Sequence, residues 1–127
     1  TAALAGTGLS WTLKVGGDPR TLTRADGAVV YLPDESLDTA LQLLLPAVDG
    51  LLHPDVPPLT CRVAPGLAWA HDPGDGRSFG EDRCGVIASA VAAVTDRPAT
   101  TADVAAAFRR NGLDPAAPHL RAAGDHR

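Results

Sequence analysis

Glycine and proline interrupt this chain so often that only short helices and strands fit between them. The sequence has 13 glycines and 11 prolines in 127 residues, concentrated in segments such as GGDPR, HPDVPP and HDPGDGR. Glycine readily adopts positive φ and proline lacks an amide proton, so these clusters end regular structure. The chain is therefore expected to fold as a succession of short elements joined by turns and extended linkers.

Alternation between apolar and polar residues predicts four short strands. They cover residues 11–15, 28–32, 59–63 and 67–70. Successive side chains of a strand point to opposite faces, and the apolar set of each strand is expected to face the core. On this alternation Lys14, Tyr31 and Arg62 all point away from the face that the helices cover. The pattern thus predicts three polar side chains on one open face of a sheet.

Helical signals separate these strands and dominate the second half of the chain. Four helices are predicted. The first ends near Gly6 or Gly8, and the second runs from a cap at Asp34 or Ser36 to Pro46. The third runs from Ser78 to about Thr95, and the fourth from Thr101 to Asn111. Ser78 followed by Glu81 is a capping box. Together these elements predict one domain over residues 1–127, of the α+β class, in which helices pack on one face of a small antiparallel sheet.

Composition excludes several classes of function. Apolar residues make up 45%, enough for a core, whereas a net charge of -4 argues against a general nucleic-acid binder. The sequence contains no run of about 18 apolar residues, so no membrane span is predicted. Cys61 and Cys84 lack metal-ligand spacing, so we expect buried free thiols and no zinc site. No other metal and no cofactor are expected. The start at Thr1, without a visible leader, suggests a cytoplasmic fragment of a longer protein.

The one lysine marks a first candidate site. The chain has eleven basic residues, of which ten are arginine and one is Lys14. An ammonium, a phenol and a guanidinium on one sheet face form a plausible cradle for an oxyanion, because arginine offers a planar fork and lysine a point charge. The alternative is a solvated sheet face that carries scattered charges.

The segment GDGRSFGEDR, residues 74–83, provides a second candidate site. A glycine-rich loop runs directly into a capped helix start, where backbone amides and the helix dipole favour anions. Arg77 and Arg83 flank Ser78 in this segment. The alternative is an ordinary capped helix whose arginines pair with Glu81 or Asp82. The Walker A pattern is absent, so no P-loop nucleotide site is expected.

Three stretches resemble the C-terminal half of the HopA-class type III effector family. They are WTLKVGGDPRTLTRADGAVVYL, PPLTCRVAPGLAWAHDPGDGRSFGEDRC and NGLDPAAPHL, which together span most of the chain. Actinobacterial relatives of that family act as lyases in class V lanthipeptide biosynthesis. The resemblance implies the C-terminal part of a longer HopA-like lyase, working on a phosphorylated precursor peptide with a partner kinase and cyclase.

The first of these stretches also resembles, more remotely, the strand pair of phosphothreonine lyases. Those enzymes remove phosphate by β-elimination and leave a dehydroamino acid. By this resemblance Lys14 matches a phosphate-side lysine, Arg24 a phosphate-binding arginine and Tyr31 an active-site tyrosine, and Arg83 matches a later phosphate arginine. The Lys-Phe-His stretch that carries the base and the acid in those lyases does not occur here. Either these groups lie upstream of Thr1, which we expect, or Lys14 acts as the base, or the chemistry is altered.

These observations predict a carbon-oxygen lyase acting on phosphoserine or phosphothreonine in a ribosomal peptide precursor. Lys14 and Tyr31 are the candidate catalytic residues, and the candidate phosphate ligands are Arg24, Arg62, Arg77, Ser78 and Arg83. The reaction needs a base, and fixed positive charge for the departing phosphate. The same cradle could instead hold a phosphopeptide or phosphopantetheine without chemistry. A third alternative is a structural helper subunit.

Overall fold

The computed structural model describes residues 2–122 of the chain. Its residues fall into two compact units, one up to Trp69 and one from Ala70 onward. The prediction of a single domain remains a prediction, because two compact units can still belong to one domain.

The first unit contains all four strands. These are β1 Thr12–Val15, β2 Ala28–Tyr31, β3 Cys61–Ala64 and β4 Leu67–Trp69. A 3-10 helix, Pro19–Thr23, connects β1 to β2. A second 3-10 helix, Asp34–Ser36, leads into helix α1, Leu37–Val48. The predicted strands are therefore confirmed, with boundaries shifted by one or two residues.

The strands pair as two antiparallel ribbons. β1 pairs with β2, and β3 pairs with β4, and no strand of the described residues joins the two ribbons. The α+β class and the antiparallel pairing are confirmed, but the expected single sheet is two separate two-stranded sheets. Alternation of apolar and polar residues identifies strands without specifying their partners. In this protein each strand pairs with its neighbour in the sequence, so each ribbon is a hairpin.

The turn between β3 and β4 depends on Gly66. This residue has φ +74, and a Cβ added there would lie 2.2 Å from the carbonyl oxygen of His53. Its amide donates to the carbonyl of Pro54 at 3.0 Å. Only glycine satisfies both the positive φ and this close approach. The Pro65-Gly66 turn predicted from the sequence is thereby confirmed.

The core of the first unit lies between its N-terminal segment, α1 and the first ribbon. Leu4, Ala40 and Leu44 are buried. Partly buried apolar residues pack against them: Ala3, Leu9, Trp11, Val30, Leu32 and Leu43. The expected inward face of the first ribbon is thus confirmed for Trp11, Val30 and Leu32. It is wrong for Leu13 and Val15, which are exposed because the core covers only one end of the ribbon.

Two features of the first unit differ from the sequence prediction. Residues 2–6 form turns and not the end of a helix, because Gly6 and Gly8 both have positive φ and interrupt the segment. Helix α1 continues through Pro46 to Val48. Proline removes one helical hydrogen bond, which a helix tolerates more easily near its end than in its middle.

The second unit is built on two helices. Helix α2 spans Phe79–Ala92 and helix α3 spans Thr101–Arg110, and each begins with a complete capping box. Buried apolar residues join them: Val86, Ala90, Ala107, Phe108 and Leu113. Gly112, with φ +73, follows the end of α3. These helices, the Ser78 cap and the Gly112 stop confirm the sequence prediction.

No helix within residues 2–122 has the length and hydropathy needed to cross a membrane. Cys61 and Cys84 are both free thiols, as expected, and Cys61 is partly buried. Cys84 is exposed, so the expectation that both thiols are buried is wrong for this residue. It lies on the side of α2 opposite the buried Val86, and a helical position of this kind faces solvent.

Candidate functional site

Lys14 and Tyr31 lie on the same face of the first ribbon. In the register of β1 and β2, Thr12 pairs with Tyr31 and Lys14 pairs with Val29. Lys14 shares a face with Thr12, and hence with Tyr31, because side chains alternate along each strand. Diagonal neighbours of this kind are within reach of long side chains. The predicted lysine–tyrosine pair is therefore brought together by the fold.

This face is open. All four residues of β1 are exposed, and Tyr31 retains 38% of its accessible surface. Within the described residues neither the Lys14 ammonium nor the Tyr31 hydroxyl forms an ion pair or a side-chain hydrogen bond. A point charge and a phenol without internal partners remain available to a ligand, and their geometry suits an anion approaching from solvent.

Arg24 lies in the same hairpin, at the end of the 3-10 helix Pro19–Thr23. Its guanidinium makes two hydrogen bonds to the carboxylate of Asp26, at 2.9 and 3.1 Å. The Arg24 side chain is 66% exposed, so this pair contributes little to stability and can open at low cost. The RAD sequence at residues 24–26 favours this local Arg–Asp pair, and Arg24 remains accessible to a competing anion.

Arg62 does not share a sheet with Lys14 and Tyr31. It lies on β3, which belongs to the second ribbon. The prediction that all three side chains occupy one sheet face is therefore wrong, because the four strands do not form one sheet. Arg62 is exposed and has no ion-pair partner among residues 2–122. It remains a candidate phosphate ligand, without the sheet geometry that first suggested it.

The start of α2 is a closed capping box. The Glu81 amide donates to Ser78 Oγ at 3.2 Å, and the Ser78 amide donates to Glu81 Oε2 at 2.8 Å. Both backbone amides of the box therefore already donate hydrogen bonds to its side-chain oxygens. The predicted cap is confirmed, and the hydroxyl of Ser78 is engaged within the helix itself.

Arg77 is held by two carboxylates of its own segment. Its Nε donates to Asp75 at 2.8 Å, and its Nη2 lies 2.9 Å from Asp82. The side-chain hydrogen bond from Arg77 is the main cause that lowers the pKa of Asp75, and the same bond raises the pKa of Arg77. These shifts show mutual stabilisation of the two charges, as in the pairing that the sequence left open as the alternative.

Arg83 is the most constrained of the candidate residues. Only 3% of it is exposed, and its Nε and Nη2 donate to the carbonyls of Pro118 and Leu120, both at 2.8 Å. Nη1 contacts Asp82, and the guanidinium lies over the ring of Phe79, 4.8 Å from its centroid. Each nitrogen of the guanidinium therefore has a partner, and the hydrogen bonds from Nε and Nη2 attach residues 118–120 to α2.

A cavity of about 300 Å³ adjoins this network in the second unit. Arg77, Asp82 and Arg83 line it, together with apolar groups of Val86 and Leu113. Asp82 lies between the two arginines and partly neutralises them. A strongly anionic group entering this cavity would meet carboxylates as well as guanidinium groups, so its lining is less suited to phosphate than the sequence suggested.

The described part of the chain gives no support to catalysis by His71 or to a metal site. The amide of Arg121 donates to His71 Nδ1 at 3.0 Å, so this ring nitrogen takes part in the internal structure of the second unit. Among residues 2–122 no three His, Cys, Asp or Glu side chains come together as a metal site.

Sequence reasoning missed the carboxylate Asp75, which engages Arg77. The signal was available, because an aspartate two residues from an arginine in a turn can fold back onto it. The same spacing, in reverse order, produces the Arg24–Asp26 pair. Such short-range charge alternation therefore distinguishes the paired arginines from Lys14, which has no acidic residue within three positions.

The fold and these residues describe a small α+β protein with one open basic-phenolic face and one internally paired arginine cluster. The model of the HopA1 effector protein family matches residues 1–120. The chain therefore belongs to the HopA1 effector protein family, as the resemblance implied. A search of curated proteins found no match.

Proposed function

We propose that this HopA1-family protein is a carbon-oxygen lyase that removes phosphate from phosphoserine or phosphothreonine in a peptide by β-elimination. A base takes the Cα proton, the Cβ–O bond breaks, and phosphate leaves with the bonding electrons. The product is a dehydroamino acid. The substrate is a ribosomal precursor peptide, phosphorylated by a partner kinase and passed on to a cyclase in the cytoplasm.

The observation that carries the proposal is the position of Lys14 and Tyr31 as diagonal neighbours on one open face of the β1–β2 ribbon. The two side chains that resemble lyase site residues are far apart in sequence, yet the strand register makes them diagonal neighbours. Arg24 belongs to the same hairpin and adds a guanidinium suited to phosphate. The proposal therefore rests on the first unit, with Arg62 as an additional cation of that unit.

The role of Lys14 can be separated into charge and base. As a phosphate ligand, Lys14 stabilises the negative charge that grows on the departing group. As a base it must first lose its proton, which an arginine at the same position does not do at neutral pH. Lys14→Arg therefore keeps the charge and removes the base, whereas Lys14→Ala removes both.

Mass spectrometry of a phosphothreonine peptide incubated with the full chain tests the proposal. We expect loss of phosphoric acid and appearance of the unsaturated residue. Lys14→Ala should lower the rate by about a hundredfold or more, the usual contribution of a group acting on charge or proton transfer. Arg109→Ala, which removes an exposed cation from α3, is the matched control and should leave the rate unchanged.

The outcomes of these experiments distinguish the possible roles of Lys14. Partial activity in Lys14→Arg assigns Lys14 to phosphate stabilisation, and complete loss in that variant assigns it to proton abstraction. An unmodified peptide after long incubation with the wild-type chain would contradict Lys14 as the base. An unmodified peptide after incubation with a longer form of the protein as well would contradict the lyase proposal. Equal rates for wild type and Lys14→Ala would remove Lys14 from the site.

A second function is favoured by one specific observation. The Lys14 ammonium is exposed on an open strand face, whereas a lysine acting as a base is favoured by a buried position that disfavours its charged form. An open cationic face is sufficient for binding a phosphopeptide or phosphopantetheine without chemistry. In that case the peptide is retained unchanged, and Lys14→Ala weakens binding.

A further inference from the structure

The outer edge of β1 is an unpaired strand edge beside the candidate site. β1 pairs with β2 alone among the described strands. Every residue of β1 is exposed, including the apolar side chains of Leu13 and Val15, at 39% and 50%. Such an edge presents a row of backbone groups that can pair with another extended chain.

The ladder shows which residues of β1 present their backbone outward. The Gly16 amide donates to the Gly27 carbonyl at 3.1 Å, which continues the β1–β2 register and makes these two residues a hydrogen-bonded pair. Hydrogen-bonded and non-hydrogen-bonded pairs alternate in an antiparallel ladder. Lys14 therefore directs its backbone groups toward β2, and Leu13 and Val15 direct theirs toward the open edge.

No hydrogen bond within residues 2–122 occupies the outward backbone groups of Leu13 and Val15. Together they offer two N–H groups and two carbonyls with the spacing that an antiparallel strand requires. The edge is short, so side-chain interactions must supply the specificity of any partner.

Lys14 determines which extended chain the edge accepts. A lysine on an edge strand opposes pairing with another apolar or basic strand. It attracts a chain that places an anion opposite it, because opposite charges directly across a ladder are favourable. The residue opposite Lys14 would form a non-hydrogen-bonded pair with it, the arrangement in which cross-strand side chains come closest.

We propose that the phosphorylated peptide binds as an added antiparallel strand on the edge of β1, with its phosphoresidue opposite Lys14. Its two neighbours then lie opposite Leu13 and Val15 and form the backbone hydrogen bonds. Their side chains pack on the exposed apolar groups of Leu13 and Val15, so the site prefers apolar residues on both sides of the phosphoresidue. This inference rests on the proposed function, because it assigns the binding mode of the same substrate.

N-methylation of the peptide tests this binding mode. The probe is a short synthetic peptide in which phosphothreonine is flanked on each side by valine and then serine, titrated into the full chain by fluorescence anisotropy. N-methylation of either neighbouring valine removes a hydrogen bond to the edge, and we expect tenfold weaker binding or worse. N-methylation of the phosphothreonine or of a serine modifies an amide that points away from β1, and should leave the affinity within about twofold.

Equal effects at all positions, or none at any, would overturn strand addition. The same peptides, followed by mass spectrometry, keep this result separate from the proposed chemistry. Turnover without the alternating effect would support the lyase activity and contradict strand addition at β1. The alternating effect on binding without turnover would support strand addition and contradict the lyase activity. The unphosphorylated peptide should bind at least tenfold more weakly than the probe.

Discussion

The meaning of an arginine in this protein depends on where its donors go. Arg24 and Arg77 are both exposed and both paired with nearby aspartates, while Arg83 is buried and bonded to distant carbonyls. Lys14, in contrast, has no ion-pair partner among residues 2–122. The candidate ligands that looked equivalent in the sequence are thus unequal, and Lys14, like the exposed Arg62, is more available to a ligand than the paired arginines.

Arg83→Lys should destabilise the protein. Lysine keeps the charge but lacks the planar fork that reaches Pro118 and Leu120 at once, so partly buried carbonyls lose a donor. We expect the free energy of unfolding to fall by about 2 to 4 kcal/mol, measured by urea denaturation. Arg77→Lys, in the exposed neighbour of the same segment, is the control and should have a much smaller effect. Equal stability of Arg83→Lys and wild type would contradict a structural role.

Local signals made some residue roles predictable and left others out of reach. The Ser78 cap and its Glu81 partner are three positions apart, so the sequence was enough to identify them. The acceptors of Arg83 are 35 and 37 residues away, and no local pattern encodes such a contact. The Arg24–Asp26 pair lies between these cases, since its spacing suggested a pair without indicating whether it forms.

At the scale of elements, helices were predicted better than sheets. Helix α2 begins at the predicted Ser78 cap, because a capping box is complete within four residues. Helix α3 begins at the predicted Thr101, and its cap at Thr100 was not predicted. The pairing of strands is not local, and the alternation that identified β3 could not assign it to a separate ribbon. Residues 2–6 lack the helix expected for them because two glycines at positive φ lie within three positions.

Helix α3 gives this protein a pH-dependent element. Hydrogen bonds from Arg97, and then from the amide and hydroxyl of Thr100, lower the pKa of Asp103 well below its usual range. The folded-state pKa lies below the unfolded-state value. Ionised Asp103 therefore stabilises the fold above about pH 4, and this stabilisation declines as the pH falls from there toward the folded-state pKa.

Asp103→Asn should lower the melting temperature at pH 7, since it removes the charge that Arg97 pairs with. The difference from wild type should stay constant down to about pH 5 and shrink as the pH falls below about 4, because Asp103 of the unfolded wild-type chain is then protonated while the folded state keeps its carboxylate until lower pH. Thermal melts followed by circular dichroism across this range give the measurement. Asp96→Asn, at an exposed position of the preceding loop, is the control. A difference that grows toward low pH would contradict this account.

At the scale of the whole molecule, the two compact units differ in how many of their candidate phosphate ligands are free of internal ion pairs. The chain is acidic overall, at -4, so an anionic substrate must be attracted by local charge and not by the net field. The first unit supplies Lys14 and an exposed Arg24 in one hairpin. In the second unit Asp75 and Asp82 already hold Arg77, and the Ser78 hydroxyl is engaged in its cap.

We therefore expect charge removal to affect phosphopeptide binding only in the first unit. Arg24→Gln should weaken the binding of a labelled phosphothreonine peptide by about tenfold, the loss expected for one charge-assisted hydrogen bond, whereas Arg77→Gln should not change it. Ser78→Asp sharpens the comparison, because aspartate caps a helix as well as serine does but would repel a phosphate bound at the start of α2. If Ser78→Asp and Arg77→Gln abolish binding while Arg24→Gln leaves it intact, the phosphate site belongs to α2 and the assignment to the hairpin is wrong.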